Sequence, residues 1–247
     1  MNKKVLIVDV GNSAIEFAIY EDGNLQYFLG FFHFPNEIKT AEKQLLAFKE
    51  GVGDAMIFSV VPSVNKILIK IIKKAFNVEA KVFDWGNYKL EMKNPNITEP
   101  IGADLLADIV EAKKSYGGPC LIVDLGTITK LLYVDKQGSF EGLSLIPGLE
   151  TTVKSFSVNT ELLPELKSST LPKGRLGLNT IESMIHGAYY STIYYVKEVL
   201  KSIGDKDCKL VITGGNLRYV KDEFKDAIIE PMLTLNGMAH LYMEIVK

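Results

Sequence analysis

A chain of 247 residues, 47% hydrophobic and 23% charged, can bury one large core or two modest ones and is too apolar to be disordered. Its formal net charge of −2 excludes the strongly basic surface that holds a nucleic-acid backbone. The apolar stretch near the start is broken by Asp9, too early for a leader or a membrane span, so the expectation is a cytoplasmic protein acting on a small molecule, with no nucleic-acid or membrane partner.

From Lys4 the pattern reads as an apolar strand to Asp9, a turn at Gly11-Asn12, a second strand from Ala14 to Tyr20, and a third in LQYFLGFF after a Glu-Asp-Gly turn. Helical spacing follows at Ile38 to Lys49, Asn65 to Phe76 and Gly102 to Tyr116, with strands DAMIFSVV and KVFD between. Gly117-Gly118-Pro119 punctuates the chain, and a second three-strand meander (CLIVD, ITKLLYVD, SFEGLSLI) comes after it. The rest is read as a loop over 160–178, a long helix Thr180 to Ile203, a strand CKLVITGG, and short helices near 216–226 and 236–246. Cys120 and Cys208 lie in apolar runs and read as small buried hydrophobes, His186 reads as a helix-packing residue, and His33 and His240 have no zinc-ligand spacing with each other or with either cysteine.

The two meanders open on nearly the same phrase, LIVDVGNSAIEFAIYEDG and LIVDLGTITKLLYVDKQG. Asp124 and Gly126 follow Asp9 and Gly11 at one offset, 115 residues (124 − 9 and 126 − 11). A duplication is the simplest reading, with halves 1–116 and 117–247. In each copy the strand ends at an aspartate and the glycine lets the chain turn with N–H groups unpaired. Such a turn attracts phosphate oxygens, and the nearby carboxylate can hold Mg²⁺. The two turns are expected to face each other across an inter-domain cleft. A third glycine turn, Thr213-Gly214-Gly215, is small enough to admit a flat group such as adenine.

In this order the stretches DVGNS, SVVP, IGAD, GGPCLIVDLGT, IPG, GLNT and TGG resemble those of type III pantothenate kinases, within the actin, hexokinase and heat-shock ATPase superfamily. The resemblance implies an α/β fold of two duplicated ribonuclease-H-like halves, an actin-like ATPase fold. It implies a homodimer that phosphorylates pantothenate with ATP, Mg²⁺ and a monovalent cation, K⁺ or NH₄⁺, as the first step of coenzyme A synthesis. By position, Asp9, Val10, Gly11, Asn12, Ser13, Ala14, Ile15 and Glu16 would form the first phosphate segment, with Asp9 towards Mg²⁺. Gly126, Thr127, Gly214 and Gly215 would meet ATP, and Asp124 the monovalent cation. Gly102, Ala103, Asp104 and Leu105 would be the substrate segment, with Asp104 as general base, and Thr180 would reach substrate from the partner subunit.

Against the family's pattern, Leu105 replaces an arginine, Glu16 a lysine, Thr129-Lys130 a threonine pair, and only Tyr88 remains to serve as a substrate tyrosine. Losing the arginine at a desolvated site would weaken binding of an anionic substrate by about 2 to 5 kcal/mol. That motivates two alternatives, a kinase of the same fold acting on another alcohol and a nucleotide-binding regulatory homologue. Asp108, one helical turn after Asp104, is expected to face solvent. The aromatic-rich helix from Thr180 is read as an interface.

Overall fold

The structure is a computed structural model describing residues 4–32, 37–48, 51–84, 88–90, 97, 99, 101–166, 174 and 176–246. His33, the predicted helix end at Lys49 and part of the predicted 160–178 loop lie outside the described residues.

Two five-stranded sheets are present among the described residues, and they share one design. In the first, β1 (Val5–Val10), β2 (Ala14–Glu21) and β3 (Asn24–Phe32) form an antiparallel meander. The strands β4 (Asp54–Ser59) and β5 (Lys81–Val82) add in parallel on the other side of β1, giving the order β3-β2-β1-β4-β5. In the second, β6 (Cys120–Leu125), β7 (Ile128–Val134) and β8 (Phe140–Pro147) repeat the meander. There β9 (Lys209–Thr213) and β10 (Ile228–Ile229) repeat the parallel additions, giving β10-β9-β6-β7-β8. Read from its own first strand, each sheet runs 3-2-1-4-5, so the repeated phrase marks a repeated ribonuclease-H-like topology.

Hydrophobic burial explains why the phrase begins with an unbroken apolar run. Both β1 and β6 are central strands, and β6 is buried at every position. Alternate residues Leu6, Val8 and Val10 join a core with Leu45 from α1 (Ile38–Ala47) and Leu68 and Ile72 from α2 (Pro62–Phe76). Leu121, Val123 and Leu125 join the matching core with Tyr189, Ile193 and Val196 from α5 (Thr180–Ile203). Since side chains alternate along a strand, Asp9 and Asp124 both leave the face opposite these cores.

The helix α2 starts earlier than its periodicity suggests because Pro62 occupies its first turn, where its missing N–H costs nothing. The helix α4 (Leu149–Asn159) is not among the predicted elements. Its Thr151, Thr152 and Val153 are β-branched and weak helix formers, and burial of Leu149 and Val153 overrides that preference. The predicted helix over 216–226 is shorter, α6 (Leu217–Val220) continued by a 3-10 turn, Lys221–Glu223.

Two compact units result: Met1–Leu90 with Thr98–Glu111 and Met232–Lys247, and Glu91–Ile97 with Ala112–Pro231. The division falls within α3 (Ala103–Tyr116), and the last helix, α7 (Leu233–Ile245), belongs to the first unit. The predicted halves 1–116 and 117–247 do not contain this return of the chain. It is fixed by a close backbone approach, because a Cβ on Gly237 would strike the carbonyl of Ala107 on α3. Polar contacts flank that approach: Thr234 Oγ1 donates to Asp108 Oδ1 at 2.7 Å, and His240 Nδ1 lies 2.7 Å from Glu111 Oε2. Asp108 is therefore fully buried, not solvated as its sequence position suggests, because α7 covers that face of α3.

Replacing Gly237 with valine should force α7 off α3 and destabilise the protein by about 1 to 3 kcal/mol or more, the usual cost of overpacking, measured by urea unfolding.

Candidate functional site

In the second unit the site begins where β6 and β9 end side by side. Asp124 is paired in register with Thr213 on β9 and with Lys130 on β7. The carboxyl ends of neighbouring parallel strands are where ligands bind in open α/β sheets. Here those ends carry Asp124, Gly126, Thr127, Gly214 and Gly215, so the structure brings together all the predicted nucleotide residues of this half. Gly214 is required twice over: its φ is +96°, and a Cβ there would lie 2.5 Å from both Asp124 Oδ1 and the amide nitrogen of Leu125.

The carbonyl groups of the Asp124–Thr127 turn have specific donors. Asn216, buried behind the glycine pair, donates its backbone N–H to Leu125 O at 2.8 Å and its Nδ2 to Gly126 O at 3.0 Å. Thr127 O accepts from Gly148 N at 2.9 Å and from Thr151 Oγ1 at 2.7 Å. Gly148 has no room for a side chain, since a Cβ would run into the carbonyls of Gly126 and Thr127. The turn is thus held from behind by three elements, which suits it to present N–H groups to an anion without reorganising. Asn216, Gly148 and Thr151 were not singled out as site residues by sequence reasoning, and Lys130 was noted only as a departure from the family's pattern. The available signal was polar residues beside the glycine motifs TGG and IPG.

Asp124 is nearly buried, and Lys130 Nζ stands 2.5 Å from its Oδ2. The position that the resemblance assigns to a monovalent cation thus already has a positive charge beside it. One carboxylate oxygen carries an ammonium, and the other lies where a side chain at position 214 would meet it.

In the first unit the corresponding ends are those of β1 and β4. Gly11 N–H donates to Ala14 O at 3.0 Å, closing the turn, and Val60 N–H donates to Val10 O at 3.1 Å. Asn12 and Ser13 are exposed at its tip. Asp9 and Glu16 are direct partners across β1 and β2, so this turn presents two carboxylates where the second presents an aspartate and a lysine. Glu16 also acts on Tyr27, whose phenol is pushed up first by burial and then by that negative charge. Gly102 packs near Val60, with 3.5 Å between a built Cβ and Val60 Cγ1, and opens α3. Buried Ala103 anchors the first turn, and Asp104 follows half-buried, its Oδ1 accepting the Leu105 N–H at 2.9 Å. Leu105 is half-buried beside it and brings no charge.

The remaining sequence candidates sit elsewhere. Thr180 is exposed at the start of α5, and its neighbourhood is explained by capping: Asn179 Oδ1 accepts the Glu182 N–H at 2.9 Å, and Glu182 Oε2 accepts the Leu178 N–H at 2.9 Å. Tyr88 donates its hydroxyl to Glu244 Oε2 on α7 at 2.6 Å, so that hydroxyl is committed within the first unit. Burial pushes the Cys120 thiol up to about 11 and raises that of Cys208, which suits packing and not nucleophilic chemistry.

Comparison with known proteins bears on the fold and on the family. A Baf family protein from Campylobacter jejuni matches over 98% of each chain, with a TM-score of 0.65 at 18% identity. The activator of the 2-hydroxyisocaproyl-CoA dehydratase from Clostridium difficile, solved with bound ADPNP, matches over 96% of this chain and 91% of that one, with a TM-score of 0.52 at 13% identity. With the duplicated 3-2-1-4-5 sheets, these define an actin-like ATPase fold. A type III pantothenate kinase from Treponema pallidum is 32% identical over 255 residues, covering 96% of this chain and 93% of that protein. The family described as type III pantothenate kinase matches residues 5–202, and the chain belongs to it.

Replacing Asn216 with alanine leaves Gly126 O without its side-chain donor, and should cost about 1 to 3 kcal/mol of stability by urea unfolding. A Thr151→Ala change, which leaves Thr127 O with the Gly148 N–H, should cost less.

Proposed function

We propose that this protein transfers the γ-phosphoryl group of ATP to the primary hydroxyl of pantothenate, giving 4'-phosphopantothenate, the first step of coenzyme A biosynthesis. Its membership in the type III pantothenate kinase family carries this reading. The braced turn at Gly126 and Thr127 supplies the supporting geometry. Phosphoryl transfer asks the protein mainly to position the reactants and neutralise oxygen charge. In this reading Gly126 and Thr127 offer backbone N–H groups to phosphate oxygens, and the open space at Gly215 admits the adenine. Gly214 keeps that approach clear of side-chain atoms.

The segment Asp9 to Glu16, with Val10 and Ile15 buried beneath it, forms the first phosphate turn. Asp9 and Glu16, opposed across β1 and β2, fit Mg²⁺, a hard cation bound by one or two carboxylates together with phosphates and water. When bound, Mg²⁺ would neutralise charge on the phosphates. Glu16, which would repel a bare triphosphate, becomes a favourable neighbour once the ion is counted.

Asp104 is the general base. It accepts the proton of the pantothenate hydroxyl as that oxygen bonds to the γ-phosphorus, while the bond to the bridging oxygen breaks and ADP leaves. Gly102 and Ala103 set its position on α3, and the α7 contacts at Ala107, Asp108 and Glu111 hold the same helix. Leu105 leaves the pantothenate carboxylate without the arginine usual in the family. Thr180, exposed at the start of α5, is the proposed contact to substrate from a partner subunit.

The proposed homodimer uses the exposed side of the second unit. Tyr190 and Tyr194 stack at 5.4 Å, His186 continues the row at 4.4 Å from Tyr190, and Tyr194 is 63% exposed. Leu145 and Ile181 are exposed apolar residues of the same unit. The row runs from partly buried His186 and Tyr190 out to exposed Tyr194, and aromatics are enriched in interface cores. We place the protein in the cytoplasm, where ATP and pantothenate are available. Among the described residues no helix is long and apolar enough to cross a membrane.

ADP release coupled to pantothenate should be detectable with Mg²⁺, and Asp104→Asn should lower kcat by about 10² to 10⁴ while leaving ATP binding intact. Turnover unchanged in that variant would remove Asp104 as the base. Leu105→Arg should lower KM for pantothenate at least tenfold, measured in the same assay. Tyr194→Glu should shift the protein to monomer in sedimentation equilibrium, whereas an unaffected dimer would place the interface elsewhere.

A further inference from the structure

The charge at Asp124 has a resident partner, and turn length decides which residue it is. In the first unit the turn between β1 and β2 leaves Val10 opposite Ile15, which puts Glu16 opposite Asp9. In the second, the turn is one residue shorter, leaving Leu125 opposite Thr129, which puts Lys130 opposite Asp124. Direct cross-strand partners project to the same face, so the ammonium is delivered to the carboxylate by backbone register and not by a wandering surface side chain. Both groups are well buried, with side-chain exposures of 18% for Lys130 and 11% for Asp124, and Nζ to Oδ2 is 2.5 Å. The other oxygen, Oδ1, lies against Gly214. A buried carboxylate requires a counterion. Seating a free cation on the same carboxylate would set two positive charges side by side, and they would repel.

We propose that the Lys130 ammonium is the built-in monovalent cation of the second glycine turn, so that nucleotide binding by this chain needs neither K⁺ nor NH₄⁺. This rests on the nucleotide-binding reading of that turn. The tethered charge neutralises Asp124 next to Gly126 and Thr127, so an arriving phosphate does not meet a bare carboxylate. A free ion would do the same only at sufficient concentration.

The test is calorimetric titration of the full-length protein with a non-hydrolysable ATP analogue and Mg²⁺, in KCl and in tetramethylammonium chloride at equal ionic strength. The wild-type protein should bind with the same Kd within twofold in both salts. The K130T variant should bind at least tenfold more weakly in tetramethylammonium, and K⁺ or NH₄⁺ should restore it to within threefold of wild type. Wild-type binding at least tenfold tighter in K⁺ would overturn the proposal, as would a folded K130T variant indifferent to the salt. Should K130T fail to fold, the wild-type comparison decides, with K130M as the second variant. Absence of analogue binding in both salts would remove the nucleotide reading itself. The cation proposal would then be decided by thermal melting, where K⁺ should raise the Tm of K130T and leave that of the wild type unchanged.

Discussion

A carboxylate buried where β6 leaves the sheet is the constraint around which the second unit is arranged. Lys130, one strand away in register, places its ammonium 2.5 Å from that carboxylate. The pair also fixes what may lie nearby. Gly214 must have no side chain because Asp124 Oδ1 and the Leu125 amide occupy that space, and Asn216 follows at the position from which it reaches two carbonyls of the next turn. The ion pair and the glycine answer to the aspartate at the end of the strand, and the asparagine to the turn that follows it.

Close backbone approaches do the corresponding work elsewhere. Gly148 lets α4 begin against the carbonyls of Gly126 and Thr127, and Gly237 lets α7 lie on α3 at Ala107. Each joins elements distant in sequence, and neither tolerates a methyl group without movement. The proposed base, Asp104, is carried on a helix whose next turns are held by Thr234, Gly237 and His240 from the end of the chain. The proposed placement of Asp104 thereby depends on a segment that carries no motif.

The duplicated phrase made the fold legible, because an apolar run long enough for a strand buried on both faces, followed by aspartate and glycine, imposes the same local structure twice. The glycine motifs likewise pointed to the residues that gather at the ends of β6 and β9, since backbone space is a property that sequence states directly. The partner of Asp124 was not legible. Whether Lys130 or its neighbour faces the aspartate turns on a single residue of hairpin length, which periodicity does not resolve. Asp108 misled for a related reason: its polarity argued for solvent, and only the arrival of α7 from far along the chain buries it. In GLNT, Asn179 and Gly177 are accounted for by helix capping and by close packing on Ser183, so a motif that resembles a substrate contact also has a structural cause.

The central claim is that this chain moves a phosphoryl group from ATP to the pantothenate hydroxyl. The most direct measurement is phosphorus NMR of MgATP and pantothenate incubated with the purified protein, without added potassium. The account predicts growth of a phosphomonoester resonance matched by conversion of ATP to ADP. A protein that binds ATP yet yields only inorganic phosphate, or leaves the nucleotide untouched under all salts, would contradict it.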